Sequence, residues 1–249
     1  QTCALPISPC KAFAVAKSGD VVEITGNTTY TGDVCAIYTS NLTIRGVNGR
    51  PKINAGGKYA MSKGTWVVEG SNVVVDNVEM YGAKVPDRNG AALRLEGTNF
   101  TLRNSFIHDN EDGILSNANT ASNILIEYTE FGHNGNDGGG THNLYVGRVA
   151  SLTFRSSYSH DARVGHNLKS RARVNNISYS RFSSTPPGQF ETTAPANAMA
   201  VWQARELGLL LRGELAARLH RADRDVVDLA TQLRPVLARI GVELLLDNT

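Results

Sequence analysis

The chain has 249 residues, 41% hydrophobic and 19% charged, enough apolar content for a buried core in one large domain or two small ones. No run approaches the roughly 18 apolar residues of a membrane-spanning helix, and a formal charge of +2 without a basic run points away from nucleic acid as a partner. The 24 glycines and 21 asparagines suit an all-β protein rich in turns.

Composition divides the chain. Residues 1–200 hold 20 Asn and 10 Leu, whereas residues 201–249 hold 1 Asn and 12 Leu, with seven Arg and no Lys. Residues 1–8 resemble a translated sequencing adapter and are set aside from the fold argument, and residues 1–20 lack the basic start and apolar stretch of a secretory leader. Cys10 to Lys17 is Ala-rich and short, as a helix capping an N-terminal end would be. Cys3, Cys10 and Cys35 are odd in number and lack metal-ligand spacing, so they read as small buried hydrophobes or incidental thiols.

From residue 18 a pattern repeats. A small polar residue, usually Asn, precedes three or four alternating apolar and polar or β-branched residues. It occurs at Asn41-Leu-Thr-Ile-Arg45, Asn72-Val-Val-Val-Asp76, Asn99-Phe-Thr-Leu-Arg103, Asn123-Ile-Leu-Ile-Glu127, Ser151-Leu-Thr-Phe-Arg155 and Asn176-Ile-Ser-Tyr-Ser180, with starts 31, 27, 24, 28 and 25 residues apart. A second short strand follows in the repeats: Trp66–Glu69, Leu93–Glu96, Gly113–Ser116, Asn143–Val146 and Asn167–Ser170. No helix of 10–12 residues fits between the strands, which argues against βαβ units. Parallel strands without crossover helices follow when the chain coils, each turn stacking on the last at ~4.8 Å. Six such coils make a rod of ~29 Å. Leu93, Ile114, Leu144 and Leu168 form its inward apolar column, and Asn at the corners satisfies backbone groups there.

Residues 18–183 resemble the right-handed parallel β-helix proteins of the pectate-lyase-like superfamily. Ser18-Gly-Asp-Val-Val-Glu-Ile24, Thr29-Tyr-Thr-Gly32 and Asn41-Leu-Thr-Ile-Arg-Gly46 are similar to their usual entry. The segments from Ile107 to Leu115, His142 to Gly147 and Gly165 to Arg171 resemble a bacterial exported group of that fold. The resemblance implies an all-β solenoid over residues 9–184, a secreted or periplasmic location and a carbohydrate partner.

The repeat fails after Ser184. Residues 185–200 read as a Pro/Thr-rich linker, and residues 201–249 as a helical tail, with Leu207, Leu211, Leu215 and Leu219 four apart. The tail can cap the solenoid, oligomerise, or be foreign sequence. The simultaneous change of composition and repeat favours the last. The expected state is monomeric unless the tail associates.

Alignment of the second strands on their inward Leu or Ile places Arg94, Leu115, Tyr145 and Lys169 in one outward column, with Asn143 and Asn167 in the next and Arg171 two residues past Lys169. His142 and His166 occupy one place on adjacent coils, opposite Asp112. Another column holds His108-Asp109 and His160-Asp161, with Gly132-His133 between. These residue types suit β-elimination on a uronate polysaccharide. Asn143, Asn167 or Arg171 would neutralise the carboxylate. His142, His166 or Lys169 would take the C5 proton, and Tyr145 or Arg171 would protonate the leaving oxygen. Arg94 and His160 would contact substrate. Lys169-Ser170 with Asn175-Asn176 resembles the lysine coil of alginate-lyase-like β-helices. Their arginine partner lies on a next coil, which linker replaces here.

Three other readings stand beside it. Asn143 and Asn167 can be ladder residues. A glycoside hydrolase would use two of Asp109, Glu111, Asp112 and Asp161. A non-catalytic carbohydrate-binding or adhesin rod needs outward aromatics, and few outward positions besides Tyr145 carry one. No cofactor is expected, although Asp109, Glu111, Asp112 and Asp137 offer hard oxygen ligands for Ca²⁺.

Overall fold

The structure, a computed structural model, describes residues 8–136 and 140–184 and the backbone strand Gln189–Thr192. Cys3, Asp137 and the expected helical tail lie outside the described residues.

The chain forms a parallel β-solenoid of about six coils, whose strands stack into three sheets of seven. Sheet A stacks Val21–Thr25, Thr43–Val47, Val73–Asp76, Phe100–Arg103, Asn119–Glu127, Val149–Arg155 and Val174–Ser178. Sheet B stacks Thr29–Thr31, Lys52–Asn54, Glu79–Tyr81, Phe106–His108, Glu130–Gly132, Tyr158–His160 and Arg181–Ser183. Sheet C stacks Cys35–Ile37, Gly64–Val68, Ala91–Leu95, Asp112–Ser116, Leu144–Val146, His166–Ser170 and Gln189–Thr192. The sheet B strands follow those of sheet A after a short corner and are three residues long, too short for alternation to register, so the sequence shows two strands per coil where three exist. The strand Gln189–Thr192 extends sheet C into the segment read as linker.

Inward columns fill the interior. Trp66, Leu93, Ile114, Leu144 and Leu168 share one level of sheet C and are fully buried. Val75, Leu102, Ile126 and Phe154 do the same on sheet A, each buried side chain contributing ~1.5–3 kcal/mol. The last sheet A strand is offset by two residues from the expected alignment: Phe154 pairs with Ile177, and Ser151 with Val174. A slip of two keeps the faces of the residues that stay in the strand, so alternation alone could not detect it, but it moves Tyr179 from the expected inward place opposite Phe154 to the exposed corner beyond the strand.

The outward edge of sheet A carries a charge ladder. Glu23, Arg45, Asp76, Arg103, Glu127 and Arg155 are register partners in turn, alternating in sign coil after coil. Arg45 meets Glu23 at 2.6 Å, Arg103 lies 3.1 Å from Asp76, and Arg155 Nε donates to Glu127 at 2.7 Å. In-register stacking makes like charges face one another, and alternation converts that repulsion into pairing.

Helix Pro9–Val15 covers the first coil, its Phe13 packing edge-on against Trp66 at 5.1 Å. Ser8, within the segment set aside as adapter-like, is its N-cap: Ser8 Oγ accepts from Lys11 N and donates to Asp33 at 2.7 Å. The cysteine expectation is also corrected, because Cys10 and Cys35 form a disulfide tying this helix to sheet C. With a sequence separation of 25, the crosslink removes ~3–4 kcal/mol of unfolded-chain entropy.

Candidate functional site

The expected outward column on sheet C is present. Arg94 pairs in register with Leu115, Leu115 with Tyr145, and Tyr145 with Lys169. The strand Leu144–Val146 lies directly between Asp112–Ser116 and His166–Ser170, as the repeat requires. Tyr145 is the centre of the cluster. The Lys169 ammonium lies 5.5 Å and the Arg171 guanidinium 5.4 Å from its ring centroid, while His142 meets it edge-on at 5.5 Å.

His142 and His166 are adjacent, their rings 5.0 Å apart. His142 Nδ1 accepts the backbone N–H of His166 at 3.0 Å and lies 3.3 Å from His166 Nδ1. A backbone N–H can only donate, so the Nδ1 of His142 carries the lone pair and its ring proton sits on Nε2. The one lone pair of His142 Nδ1 is thus taken by the backbone N–H, and the Nδ1–Nδ1 contact brings the His166 ring alongside it. Gly165 makes this approach possible. Its φ is +74°, and a Cβ there would collide with Thr141 O and the His142 ring. His142 is buried, whereas His166 is partly exposed.

Beneath this pair Asp112 is 1% exposed and accepts the backbone N–H of His142 at 2.8 Å. Burial pushes its carboxyl up to about 8; the His142 N–H and the Arg94 charge oppose the rise, and Glu111 adds to it. Arg94 donates to Glu96 at 2.9 Å, a carboxylate that Lys63 also reaches at 2.7 Å. Lys169 has Glu191 as its register partner on the following strand.

Three expectations are corrected here. Asn143 and Asn167 do not face outward: they are 0% and 2% exposed and belong to an internal amide ladder. Asn143 Nδ2 donates to Ser159 Oγ, His160 O and Asn167 Oδ1, while Asn167 Nδ2 donates to Ser183 O and Ser184 Oγ. Asn143 precedes the strand Leu144–Val146, and Asn167 sits at a register shift, so strand alternation does not govern either residue. The ladder reading of these amides is the one the contacts support.

His160 lies on sheet B, apart from the cluster, stacked on Tyr158 at 4.3 Å with Nδ1 at 2.9 Å from Asp161 and Nε2 at 3.1 Å from Glu130. His108 repeats the motif two coils away, stacked on Phe106 at 4.2 Å between Asp109 and Glu79. Gly132 is the spacer between them; a Cβ there would come within 2.8 Å of His160. The scarcity of outward aromatics is also corrected, since Tyr81, Phe106 and Tyr158 occupy outward positions of sheet B.

The carboxylates considered for hydrolysis or Ca²⁺ are engaged elsewhere. Glu111 accepts the N–H groups of Val85 and Gly90, at 3.0 and 2.8 Å. Asp109 is held below its ordinary value: burial opposes this, but the His108 hydrogen bond and the charges of Arg163, His108 and His133 outweigh it. Among the described residues no group of three or more potential ligands is gathered for a metal.

The fold and this cluster define a parallel β-solenoid with a His-His-Tyr-Lys-Arg patch on one outer face. Comparison with family models, curated proteins and solved structures finds no match to this chain.

Proposed function

We propose that the chain is a carbohydrate-active β-helix protein of the pectate-lyase-like kind that cleaves an acidic, uronate-containing polysaccharide by β-elimination. The observation that carries this reading is the grouping on one face of the histidine pair with Tyr145, whose ring meets His142 edge-on and lies 5.5 Å from the Lys169 ammonium and 5.4 Å from the Arg171 guanidinium. Arg171 pairs with the uronate carboxylate and lowers the cost of charge developing at C5. His166 Nε2 takes the C5 proton, the C4–O bond breaks as the C4–C5 double bond forms, and the Tyr145 hydroxyl returns a proton to the leaving oxygen. His142 acts as a positioning residue, and Lys169 contributes positive charge beside the ring. The disulfide accords with export to an oxidising compartment.

A second reading, a non-catalytic carbohydrate-binding rod, draws on the outward Tyr81, Phe106 and Tyr158, which offer stacking surface without any reacting group. Ultraviolet absorbance of unsaturated uronate products separates the two. With pectate, alginate and glycosaminoglycans as substrates, the lyase gives a rising trace that His166→Ala abolishes and Arg171→Ala reduces by about a hundredfold or more. A flat trace from the folded wild-type protein on all three, with binding retained, overturns the lyase and leaves the rod.

A further inference from the structure

The corner between sheets A and B contains one left-handed residue per coil. Asn77, Asn104, Tyr128, Ser156 and Tyr179 occupy it on successive coils, with φ of +57°, +53°, +50°, +48° and +52°. Asparagine suits this conformation, and here it also bonds to the preceding coil: Asn77 Nδ2 donates to Gly46 O and Gly49 O, and Asn104 Nδ2 to Asp76. Tyrosine has neither advantage. A bulky aromatic at positive φ is strained, and these two rings are 60% and 87% exposed, so no buried packing offsets the strain.

The two tyrosines border a groove of about 550 Å³, lined also by Ser157, Ser180, Tyr158, Arg50 and Arg181. The small Ser156 separates the rings, which stand two coils or ~9.6 Å apart. Arg181 lies over the Tyr158 ring at 5.2 Å, and Arg50 donates to Asn104 O and Asn77 Oδ1. Among the described residues neither guanidinium meets a carboxylate. The one carboxylate in the groove, Glu130, is engaged by His160.

From this arrangement we infer that the A–B corner is a second binding site, separate from the sheet C cluster, for an extended acidic oligosaccharide. Tyr128 and Tyr179 stack on alternate sugar rings, and Arg50 and Arg181 receive carboxylates. Strained, solvent-facing aromatics at a regular two-coil interval suit a chain of ring-shaped units better than a single small ligand. Single-stranded nucleic acid also stacks on aromatics, but it needs cations along each successive phosphate. Two guanidiniums and an acidic residue do not provide that. The inference does not depend on lyase chemistry at sheet C.

The test is calorimetric titration of the full chain with hexamers of galacturonate, mannuronate and hyaluronan, alongside an oligothymidine. The variant is Tyr128→Asn with Tyr179→Asn, which restores the residue that the corner uses on earlier coils. The wild type binds at least one acidic hexamer, and the variant loses the corner site, with affinity down at least about tenfold, while its thermal midpoint stays level or rises. If sheet C also binds, the stoichiometry drops from two to one; if it does not, from one to none. Unchanged binding by the variant, no binding of any hexamer by the wild type, or tighter binding of the oligothymidine overturns the inference.

Discussion

Asn134→Ala is the most discriminating perturbation of the interior. Asn134 Oδ1 accepts from both the backbone N–H and the side-chain amide of Asn110, at 3.1 and 2.9 Å. Its Nδ2 donates to Ile107 O at 3.1 Å and Asn143 Oδ1 at 2.9 Å. Removal leaves the Asn110 backbone N–H and the Ile107 carbonyl without these partners inside a residue column that is 0–2% exposed. Asn110 Nδ2 still reaches Met80 O and His108 O, and Asn143 Oδ1 still accepts from the residue-134 N–H, so those two atoms lose little. The orphaned Asn110 N–H, with the loss of one of the two hydrogen bonds at the Ile107 carbonyl, whose strand partner remains, gives an expected loss of ~3 kcal/mol. Asn123→Ala is the control. It also removes two side-chain hydrogen bonds, one with Asn99 Oδ1 and one with Ser151 Oγ, but on the exposed sheet A ladder where water replaces them. Its loss should stay below ~1 kcal/mol. Denaturant titration of both variants measures the difference, and losses within ~0.5 kcal/mol of one another would refute the view that buried amides, rather than amide ladders in general, hold the coils together.

Asp112 and Arg103 give two further tests. The folded chain keeps a proton on Asp112 up to about pH 8, whereas the unfolded chain releases it near its ordinary value of 3.8. The folded state therefore binds more protons in that window, and stability falls as pH rises through it, by up to ~1.4 kcal/mol per unit. Asp112→Asn preserves an acceptor for the His142 N–H and removes the titration, so its advantage over wild type should grow between pH 4 and 8 toward at most ~5 kcal/mol; a pH-independent difference in denaturant midpoints contradicts this. Arg103→Glu would stack three carboxylates on adjacent coils between the mostly buried Asp76 and Glu127, at a cost of ~2–4 kcal/mol against ~1 for Arg103→Gln. Equal losses for the two variants would remove the charge-ladder argument.

The sequence carries the coil repeat because stacking makes it local in pattern although distant in chain position. The column from Arg94 to Lys169 follows from aligning Leu93, Ile114, Leu144 and Leu168, with no need of coordinates. The charge ladder was equally legible, since Arg45, Asp76, Arg103, Glu127 and Arg155 each close a repeat and alternate in sign. Asn143 and Asn167 were not, because alternation assigns a face only inside a regular strand. The Cys10–Cys35 bridge depends on where the cap helix meets the first coil, and an odd cysteine count gives no pairing. Nor does residue type reveal that Tyr128 and Tyr179 adopt positive φ, since the corner is identified by its asparagines and the substitution removes the marker.

Stacking each coil on the next imposes a rule on every column, and departures from the rule locate function. Equivalent residues lie ~4.8 Å apart, so a column persists only if its members attract their own kind or alternate. Buried aliphatics and the inner amides of Asn110 and Asn134 attract their own kind, and the hydroxyls of Thr129, Ser157 and Ser180 each accept the backbone N–H of the equivalent residue one coil earlier. The sheet A charges alternate. Tyr128 and Tyr179 do neither, bringing strain and exposed apolar surface to a corner that asparagine fills well elsewhere. The sheet C column likewise runs Arg94, Leu115, Tyr145 and Lys169, in which Arg94, Leu115 and Tyr145 have no common chemistry and Lys169 lies over the Tyr145 ring, and two histidines crowd together beside it. A stability argument accounts for the aliphatic, amide, hydroxyl and sheet A charge columns. These two places gain nothing comparable from their stacking, which is the physical ground for assigning the ligand contacts to them.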